Sequence, residues 1–122
     1  MRKFALLVLV VVSGWSSGAT ANSLISFTSS RDGDREIYTM NPDGSGQTRV
    51  TYTPGHDAEA DWSPDGTRLA FHSRRDGGLH EIYVTDVDGS NPVRLTNNPA
   101  DDYSPNWSHD GSQFVFDTFR DG

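Results

Sequence analysis

The sequence predicts an all-β protein built from repeated, four-stranded antiparallel sheets, and three observations lead to this fold class. Sequence motifs return at a spacing of 45 residues. Short apolar or alternating runs of strand length lie between the motifs. The runs are separated by Asp-Gly dipeptides, which tolerate the positive φ of tight hairpin turns, and seven of the 12 glycines follow an aspartate. Together these features predict nine strands and no helix.

Residues 1–21 have the layout of a secretory signal peptide. Two basic residues precede an unbroken apolar run, 4–12, and small residues then lead to Ala21. The run has nine residues, well short of the roughly twenty that span a bilayer. We predict cleavage between Ala21 and Asn22, so that 22–122 is the mature chain and retains no membrane helix.

The composition of the mature chain excludes several functions. Its 101 residues carry eight basic and 17 acidic side chains, and only 17 of them are Leu, Ile, Val or Phe. So few core residues with so much charge are typical of disorder. A basic face for nucleic acid or anionic lipid is absent from this composition. Without cysteine there is no disulfide, thiolate nucleophile, Cys-rich zinc site or lipobox anchor.

The repeat is more informative than the composition. Glu-Ile-Tyr occurs at 36–38 and 81–83, and Trp-Ser-x-Asp-Gly occurs at 62–66 and 107–111. Arg-Asp-Gly occurs three times, with spacings of 44 and 45 residues, so we place one extra residue of the second copy in a turn. The residues predicted to hold the repeats together are Tyr38, Trp62, Asp65, Gly66, Phe71, Tyr83, Trp107, Asp110, Gly111 and Phe116.

The strands follow from the runs between these turn signals. In chain order they are predicted at 25–30, 36–40, 48–52, 58–63, 68–73, 81–86, 93–96, 103–108 and 113–118. Asp-Gly turns separate them at 32–33, 43–44, 65–66, 76–77, 88–89 and 110–111. In the segment 63–66, proline is second and glycine fourth, the layout of a type I turn between the fourth and fifth strands.

Four strands in every 40 to 50 residues are typical of a β-propeller blade, which buries its two faces against neighbouring blades. Each sheet shares its core with the neighbouring sheets, so a few single apolar residues per sheet suffice in place of a large core. The Trp-Ser-x-Asp-Gly segments, the Glu-Ile-Tyr strands, and the strands Leu69-Ala70-Phe71 and Phe114-Val115-Phe116 resemble the TolB-like propeller repeats, whose architecture is related to WD-repeat blades. The resemblance covers nearly all of 24–122.

The resemblance implies that the strand ending in Trp-Ser is the innermost of its blade. The chain would then hold three outer strands of one blade, a complete second blade, and two strands of a third. Closed propellers need at least four blades, so we expect a partial or truncated member of the family. Assembly of several chains into one ring is less favoured, because the strand 113–118 would compete with the strand 25–30 of a neighbour.

No catalytic residue, metal site or cofactor is predicted in the mature chain. Gly14-Trp15-Ser16-Ser17-Gly18 matches the nucleophile elbow of serine hydrolases, but it lies in the predicted signal peptide and lacks the required strand-turn-helix. The histidines, His56, His72, His80 and His109, have no metal-ligand spacing and are predicted at the surface or rim.

Acidic residues leave one binding hypothesis open. Asp57, Glu59 and Asp61 alternate along a predicted inner strand, and Asp57 recurs as Asp102. Carboxylates from successive blades can converge on a hard cation. Solvated or turn-capping carboxylates are the favoured interpretation, because only Asp57 has an acidic counterpart. The arginine of Arg-Asp-Gly is predicted to lie along the sheet and pair with a nearby carboxylate.

The predicted function is that of a non-catalytic, exported propeller segment, in the periplasm or outside the cell. By resemblance to the family, it would act as a protein-interaction scaffold for an unidentified protein, through blade-end loops such as 97–102. Two alternatives stay open. One is the N-terminal propeller part of a prolyl-oligopeptidase-like serine peptidase, and the other is a sugar-binding propeller assembled from several chains.

Overall fold

A computed structural model describes residues 23–120 of the chain. The predicted signal peptide, with its cleavage site between Ala21 and Asn22, lies outside the described residues. The described part contains nine strands and no helix, so the predicted all-β class is confirmed. Within residues 23–120, nothing forms an apolar helix of membrane-spanning length.

The strands lie where the turn signals place them. They are β1 (Ile25–Ser29), β2 (Glu36–Met40), β3 (Thr48–Arg49), β4 (Ala58–Trp62), β5 (Arg68–Ser73), β6 (Glu81–Asp86), β7 (Val93–Arg94), β8 (Asp102–Trp107) and β9 (Phe114–Thr118). The outer strands β3 and β7 are shorter than predicted, with two residues each. In the first repeat, the amides of Val50 and Thr51 both donate to the carbonyl of Ile37, which ends the regular ladder after Arg49.

The strands form three antiparallel sheets in chain order. The first sheet has the order β1-β2-β3, the second β4-β5-β6-β7 and the third β8-β9. Within each sheet, every strand pairs with its neighbour in sequence, because short hairpin turns connect antiparallel strands directly. The second sheet is thus a complete four-stranded blade with its own sequence repeat.

A buried carboxylate explains why Glu-Ile-Tyr recurs together with Arg-x-Thr. Glu36 is buried at the start of β2 and accepts hydrogen bonds from Arg49 Nη2 and Thr51 Oγ1, both at 2.5 Å. In the second sheet, Glu81 accepts a hydrogen bond from Arg94 Nη2 at 2.9 Å. A buried charge is tolerated only when it is paired and hydrogen-bonded, so this network joins the outer strand to its sheet.

The turn before β5 is closed by its aspartate. Gly66 N donates to the Ser63 carbonyl at 2.8 Å, and Gly66 has a φ of 71°, which favours glycine. Asp65 Oδ1 accepts hydrogen bonds from Ser63 Oγ at 2.6 Å and Thr67 N at 3.0 Å. These bonds lower the pKa of Asp65 to about 2, because they stabilise the carboxylate form.

The equivalent turn of the third sheet repeats this arrangement. Asp110 Oδ1 accepts hydrogen bonds from Ser108 Oγ at 2.7 Å and Ser112 N at 3.0 Å. These contacts lower the pKa of Asp110 to about 2, and Gly111 adopts a φ of 74°. The aspartates of both turns therefore act as local hydrogen-bond acceptors.

The main apolar core lies between the first and second sheets, a contact that we call the first seam. Its buried members are Ile37, Val50, Leu69, Phe71 and Tyr83, with Ala60 and the half-buried Trp62 packed against them. Phe71 stacks on Tyr83 with their ring centroids 6.1 Å apart. The equivalent residues of the first sheet, Phe27 and Tyr38, stack in the same way with their ring centroids 5.5 Å apart.

The contact between the second and third sheets, the second seam, buries less. Trp107 and Phe114 lie with their ring centroids 4.0 Å apart. Phe116 is half-buried and has the Arg120 guanidinium 5.5 Å from its ring centroid. Leu95, the repeat equivalent of the buried Val50, is 45% exposed.

Candidate functional site

The inner strands β4 and β8 are not regular, and both deviate at the same repeat position. Glu59 and Ser104 have positive φ values of 55° and 50°. Each marks a shift of register, between Ala58 and Asp61 in β4 and between Tyr103 and Asn106 in β8. Extra residues of this kind form β-bulges, which change the direction in which the neighbouring side chains point.

The bulge makes one prediction wrong. Asp57, Glu59 and Asp61 do not alternate on one face of a regular strand, because the extra residue interrupts the period of two. Asp57 is fully buried and Glu59 is exposed. Asp61 instead accepts a hydrogen bond from Trp107 N across the second seam at 2.8 Å.

Asp57 and Asp102 are buried, so the expectation of solvated carboxylates is wrong for both. Arg75 Nη2 lies 2.8 Å from Asp57 Oδ2, and Arg120 Nη2 lies 3.1 Å from Asp102 Oδ2. The predicted pairing of the Arg-Asp-Gly arginine with a carboxylate is therefore confirmed at these two positions. Within the described residues, no group of three or more His, Asp or Glu side chains is arranged to hold a metal ion.

The two carboxylates differ in their titration. Desolvation raises the pKa of Asp57, despite opposing hydrogen bonds and the charge of Arg75. Desolvation acts in the same direction on Asp102, but hydrogen bonds from Thr118, Asn98 and other groups outweigh it, and the pKa of Asp102 is lowered. Both aspartates serve as structural anchors at the start of an inner strand.

The histidines do not all lie at the surface or rim. His72 is buried on β5, which makes that prediction wrong, whereas His109 is exposed and His56 and His80 are partly buried. The burial follows from sheet packing: the second seam brings β8 over the end of β5, and Tyr103 contacts the His72 ring edge at a centroid distance of 5.0 Å.

These contacts form a polar aromatic cluster at one end of the second seam. His80 lies 4.6 Å from Tyr103 and 5.1 Å from His72, measured between ring centroids. Asp101 Oδ1 accepts a hydrogen bond from His80 N at 2.7 Å and lies 3.0 Å from His80 Nδ1. The loop 97–102, predicted to be a recognition loop, thus supplies the residue that positions His80.

A cleft of about 600 Å³ opens beside this cluster. Its lining includes Glu59, Tyr103, Ser104, Asp117 and Phe119. Ser104 Oγ donates to Glu59 Oε2 at 2.6 Å, so the two bulge residues join the second and third sheets. Phe119 is 65% exposed and meets the Tyr103 ring edge-on at 5.9 Å. The cleft thus combines two carboxylates with two aromatic rings.

Burial sets the protonation states around the cleft. Desolvation lowers the pKa of His72 to about 4, with His80 and Arg35 acting in the same direction and the carboxylates of Glu59 and Asp101 opposing them. His72 is therefore neutral near pH 7. Its Nδ1 is buried and lies 3.4 Å from Glu59 Oε2, without hydrogen-bond geometry.

The acidic side chains that line the cleft are Glu59 and Asp117. Desolvation raises the pKa of Tyr103, so its hydroxyl stays protonated near pH 7. Carboxylates beside exposed aromatic faces suit recognition of a cationic group, which gains from both ion pairing and cation–π contact. The arrangement of these side chains therefore favours the binding of a cationic group.

Sequence reasoning missed this cleft because its residues come from three separate segments, on or beside β4, β8 and β9. Glu59 and His72 lie on the paired strands β4 and β5 of the second sheet, and Tyr103 of the third sheet reaches them only through the second seam. One signal was available: His72 and Asp117 are 45 residues apart and occupy the same repeat position, so polar residues at that position identify one rim. The bulges themselves have no sequence signal such as glycine.

No protein-family model matches the chain. A TolB homologue of Chlorobium luteolum is 41% identical over 64 residues, which are 52% of this chain and 14% of the relative. Dipeptidyl-peptidase 5 of Porphyromonas gingivalis is 36% identical over 64 residues, 51% of this chain and 9% of the relative. The chain thus spans only a small part of the length of the curated relatives it matches.

Solved structures give the same result. A structure described as putative TolB from Agrobacterium tumefaciens matches 80% of this chain and 35% of its own, with a TM-score of 0.74 and 33% identity. TolB from Acinetobacter baumannii matches 77% of this chain and 23% of its own, with a TM-score of 0.68 and 33% identity. Tricorn protease, at 21% identity and a TM-score of 0.54, shares the fold over 70% of this chain and 8% of its own.

Successive antiparallel sheets with one repeated packing contact define this chain as part of a β-propeller. The described residues are similar in repeat motifs and in fold to the two TolB structures. They form part of a β-propeller that resembles TolB.

Proposed function

We propose that this chain is a non-catalytic, exported propeller segment that binds a protein partner through the cleft at the second seam. The observation that carries the proposal is the cleft itself, where Glu59 and Asp117 lie beside Tyr103 and the exposed ring of Phe119. Loops and strand ends on a rigid scaffold are common binding surfaces. The partner would present a basic side chain, and no cofactor is needed.

The resemblance to TolB-like proteins supports a periplasmic or otherwise exported location. The layout of residues 1–21 as a signal peptide is the independent sequence argument for export. Binding at the cleft requires no chemical step. The role of the chain would therefore be to hold a partner in place.

Capture of envelope proteins by the immobilised chain tests this proposal. The unaltered chain is expected to retain a partner that is eluted by salt, because exposed ion pairs are screened. Phe119→Ser is expected to lose that partner. Tyr52→Ser removes an aromatic ring that is 68% exposed elsewhere on the molecule, so this matched control should retain it. Equal capture by both variants would contradict the proposed cleft.

The similarity to a dipeptidyl-peptidase favours one second candidate, a propeller part of a serine peptidase. In that case, the coding sequence after residue 122 would contain further blades, then a strand, G-x-S-x-G and a helix, with Asp and His partners following. Hydrolysis of peptides by the complete protein, abolished by replacing that serine, would support the peptidase and contradict the scaffold.

A further inference from the structure

The carboxyl groups of the cleft lack the partner that the buried carboxylates of this chain have. Each buried acidic side chain pairs with an arginine of the chain, in the pairs Glu36–Arg49, Asp57–Arg75, Glu81–Arg94 and Asp102–Arg120. Within residues 23–120, neither Glu59 nor Asp117 has an arginine at ion-pair distance. The Glu59 side chain is 56% exposed, so a ligand can reach it.

Glu59 is nevertheless held in place by the sheets on both sides. Its backbone amide donates to Thr28 Oγ1 of the first sheet at 3.3 Å, and its Oε2 accepts a hydrogen bond from Ser104 Oγ of the third sheet at 2.6 Å. In the described part of the chain, no hydrogen bond involves Oε1. Since each carboxylate oxygen can accept two hydrogen bonds, the group is oriented and still has acceptor sites for a ligand.

The backbone at Glu59 also indicates a role for its side chain. Its φ of 55° lies in the left-handed region, as does that of Ser104 at 50°, and side chains other than glycine rarely adopt this conformation. Glycine would form the same bulge at less cost. Residues strained in this way cluster at binding and active sites. A glutamate at this position therefore points to a function of its carboxyl group.

A buried histidine lies behind the carboxyl group of Glu59. His72 is 5% exposed, and its Nδ1 has no hydrogen-bond partner among the described residues and lies 3.4 Å from Glu59 Oε2. In the tautomer with the proton on Nε2, two acceptors face each other without a donor between them. Unsatisfied buried polar atoms are rare and costly. A cationic group with several N–H donors supplies what this end of the cleft lacks.

The chain itself shows how a guanidinium fits between a carboxylate and an aromatic ring. The guanidinium carbon of Arg75 lies 4.9 Å from the ring centroid of Phe71, while its Nη2 donates to Asp57 at 2.8 Å. In the cleft, Glu59 and the exposed ring of Phe119 line one space. A guanidinium stacks on a ring and binds a carboxylate through its planar fork, whereas an ammonium is a strongly hydrated point charge.

We propose that the cleft selects an arginine side chain of its partner, with Glu59 as the specificity-determining residue and Ser104 as the residue that positions it. This inference rests on the proposed binding role of the cleft and names the group that is bound. The guanidinium would donate two parallel hydrogen bonds to the Glu59 carboxylate and stack on Phe119. Because Ser104 fixes the plane of the carboxylate, the arrangement favours a planar fork over an ammonium.

Titration of the isotope-labelled full chain with a capped glycine-arginine-glycine peptide, followed by NMR, tests this proposal. The peptide is expected to bind with roughly millimolar affinity, the sum of one ion pair and one cation–π contact. Peptides with lysine or citrulline in place of arginine should bind about tenfold more weakly, because each loses a charge-assisted hydrogen bond or the charge itself. Equal binding of the arginine and lysine peptides would overturn the proposal.

Variants of the chain assign the preference to its residues. Glu59→Gln should weaken binding of the arginine peptide about tenfold, to the level of the lysine peptide. Asp34→Asn is the matched control, because it removes an exposed carboxyl group on the first sheet, and it should leave binding unchanged. Equal effects of these two variants would reduce the contact to general electrostatics and overturn the proposal.

Ser104→Ala tests positioning separately from folding. It should lower the ratio of arginine to lysine affinity while leaving the affinity for the lysine peptide unchanged. A loss of both affinities to the same extent would reflect damage to the second seam and would contradict a positioning role.

The outcomes also separate this inference from the proposed function. Capture of an envelope partner that depends on Phe119, together with equal binding of the arginine and lysine peptides, would overturn the arginine preference alone. Preferential binding of the arginine peptide without capture of any partner would support the arginine site and contradict the proposed scaffold role.

Discussion

The two seams contain residues of the same repeat positions, yet they bury them differently. At the first seam Val50 is 4% exposed, whereas its equivalent at the second seam, Leu95, is 45% exposed. Phe71 is fully buried, and its equivalent Phe116 is half-buried. At the first seam, the first sheet packs against a sheet of four strands. At the second seam, the second sheet packs against a sheet of two described strands. The size of the neighbouring sheet decides whether a repeated apolar residue becomes core.

The largest expected effect tests this difference directly. Phe71→Ala should lower the free energy of unfolding by about 3–5 kcal/mol, because it leaves a cavity in a packed core. Phe116→Ala should cost about 1 kcal/mol, since its ring already contacts solvent and less apolar area is lost. Urea denaturation followed by tryptophan fluorescence measures both values. Equal losses would show that the two seams are packed alike.

The second seam should also respond to pH, because His72 lies there and the equivalent residue of the first sheet is Thr28. The pKa of His72 falls from 6.5 to about 4 in the folded state. The unfolded chain therefore binds more protons between these values, so stability is full above about pH 6.5 and is lost as the pH falls toward 4. The expected loss from this group is roughly 3 kcal/mol.

Urea denaturation at a series of pH values measures this dependence. His72→Leu should flatten the change of stability between pH 6.5 and 4, because the titrating group is gone. His109→Gln removes an exposed histidine and serves as the control that keeps the slope. If His72→Leu kept the slope of the unaltered chain, another group would be responsible for it.

A smaller effect separates backbone strain from packing at the first seam. Gly44 and Gly89 occupy the same turn position, with φ values of 83° and 84°. A Cβ at Gly44 would meet nothing within 4 Å, whereas one at Gly89 would lie 2.1 Å from the Val50 carbonyl oxygen. Gly44→Ala should cost about 1 kcal/mol from the left-handed conformation alone.

Gly89→Ala should cost about 2 kcal/mol more than Gly44→Ala, because the Val50 backbone must move as well. Thermal or urea denaturation of the two variants measures the difference. Since the φ values match, the difference reports only the contact between the sheets. Similar costs for both variants would mean that the first seam yields easily at this point.

Much of the fold could be predicted because its signals are local. The Asp-Gly turns fix hairpin positions through backbone conformation and hydrogen bonds to the aspartate, as at Asp65. The spacing of 45 residues then identifies equivalent strands, and all nine predicted strands are present. The outer strands were predicted too long, because the paired amides of Val50 and Thr51 at one carbonyl have no sequence signature.

The candidate cleft could not be predicted from spacing. A strand with an alternating pattern was expected at Asp57, Glu59 and Asp61. The bulge at Glu59 inserts one residue, so the side chains after it lie on the opposite face from the one that the alternating pattern predicts. His72 was expected at the surface, but packing of Tyr103 from the third sheet buries it. Both differences depend on how the sheets pack against each other. The local pattern of residues within a strand does not predict these contacts.

The sequence by itself determined the all-β class, the order of the strands and the repeated anchors, because turn chemistry and the period of a strand act over a few residues. Only the tertiary structure decided which member of each repeated set is buried, paired or exposed. Among residues 23–120, Arg75 pairs with Asp57, whereas its repeat equivalent Arg31 forms no ion pair. The physical reason is that burial and ion pairing depend on which strand or sheet lies alongside, and this differs between repeats of nearly equal sequence.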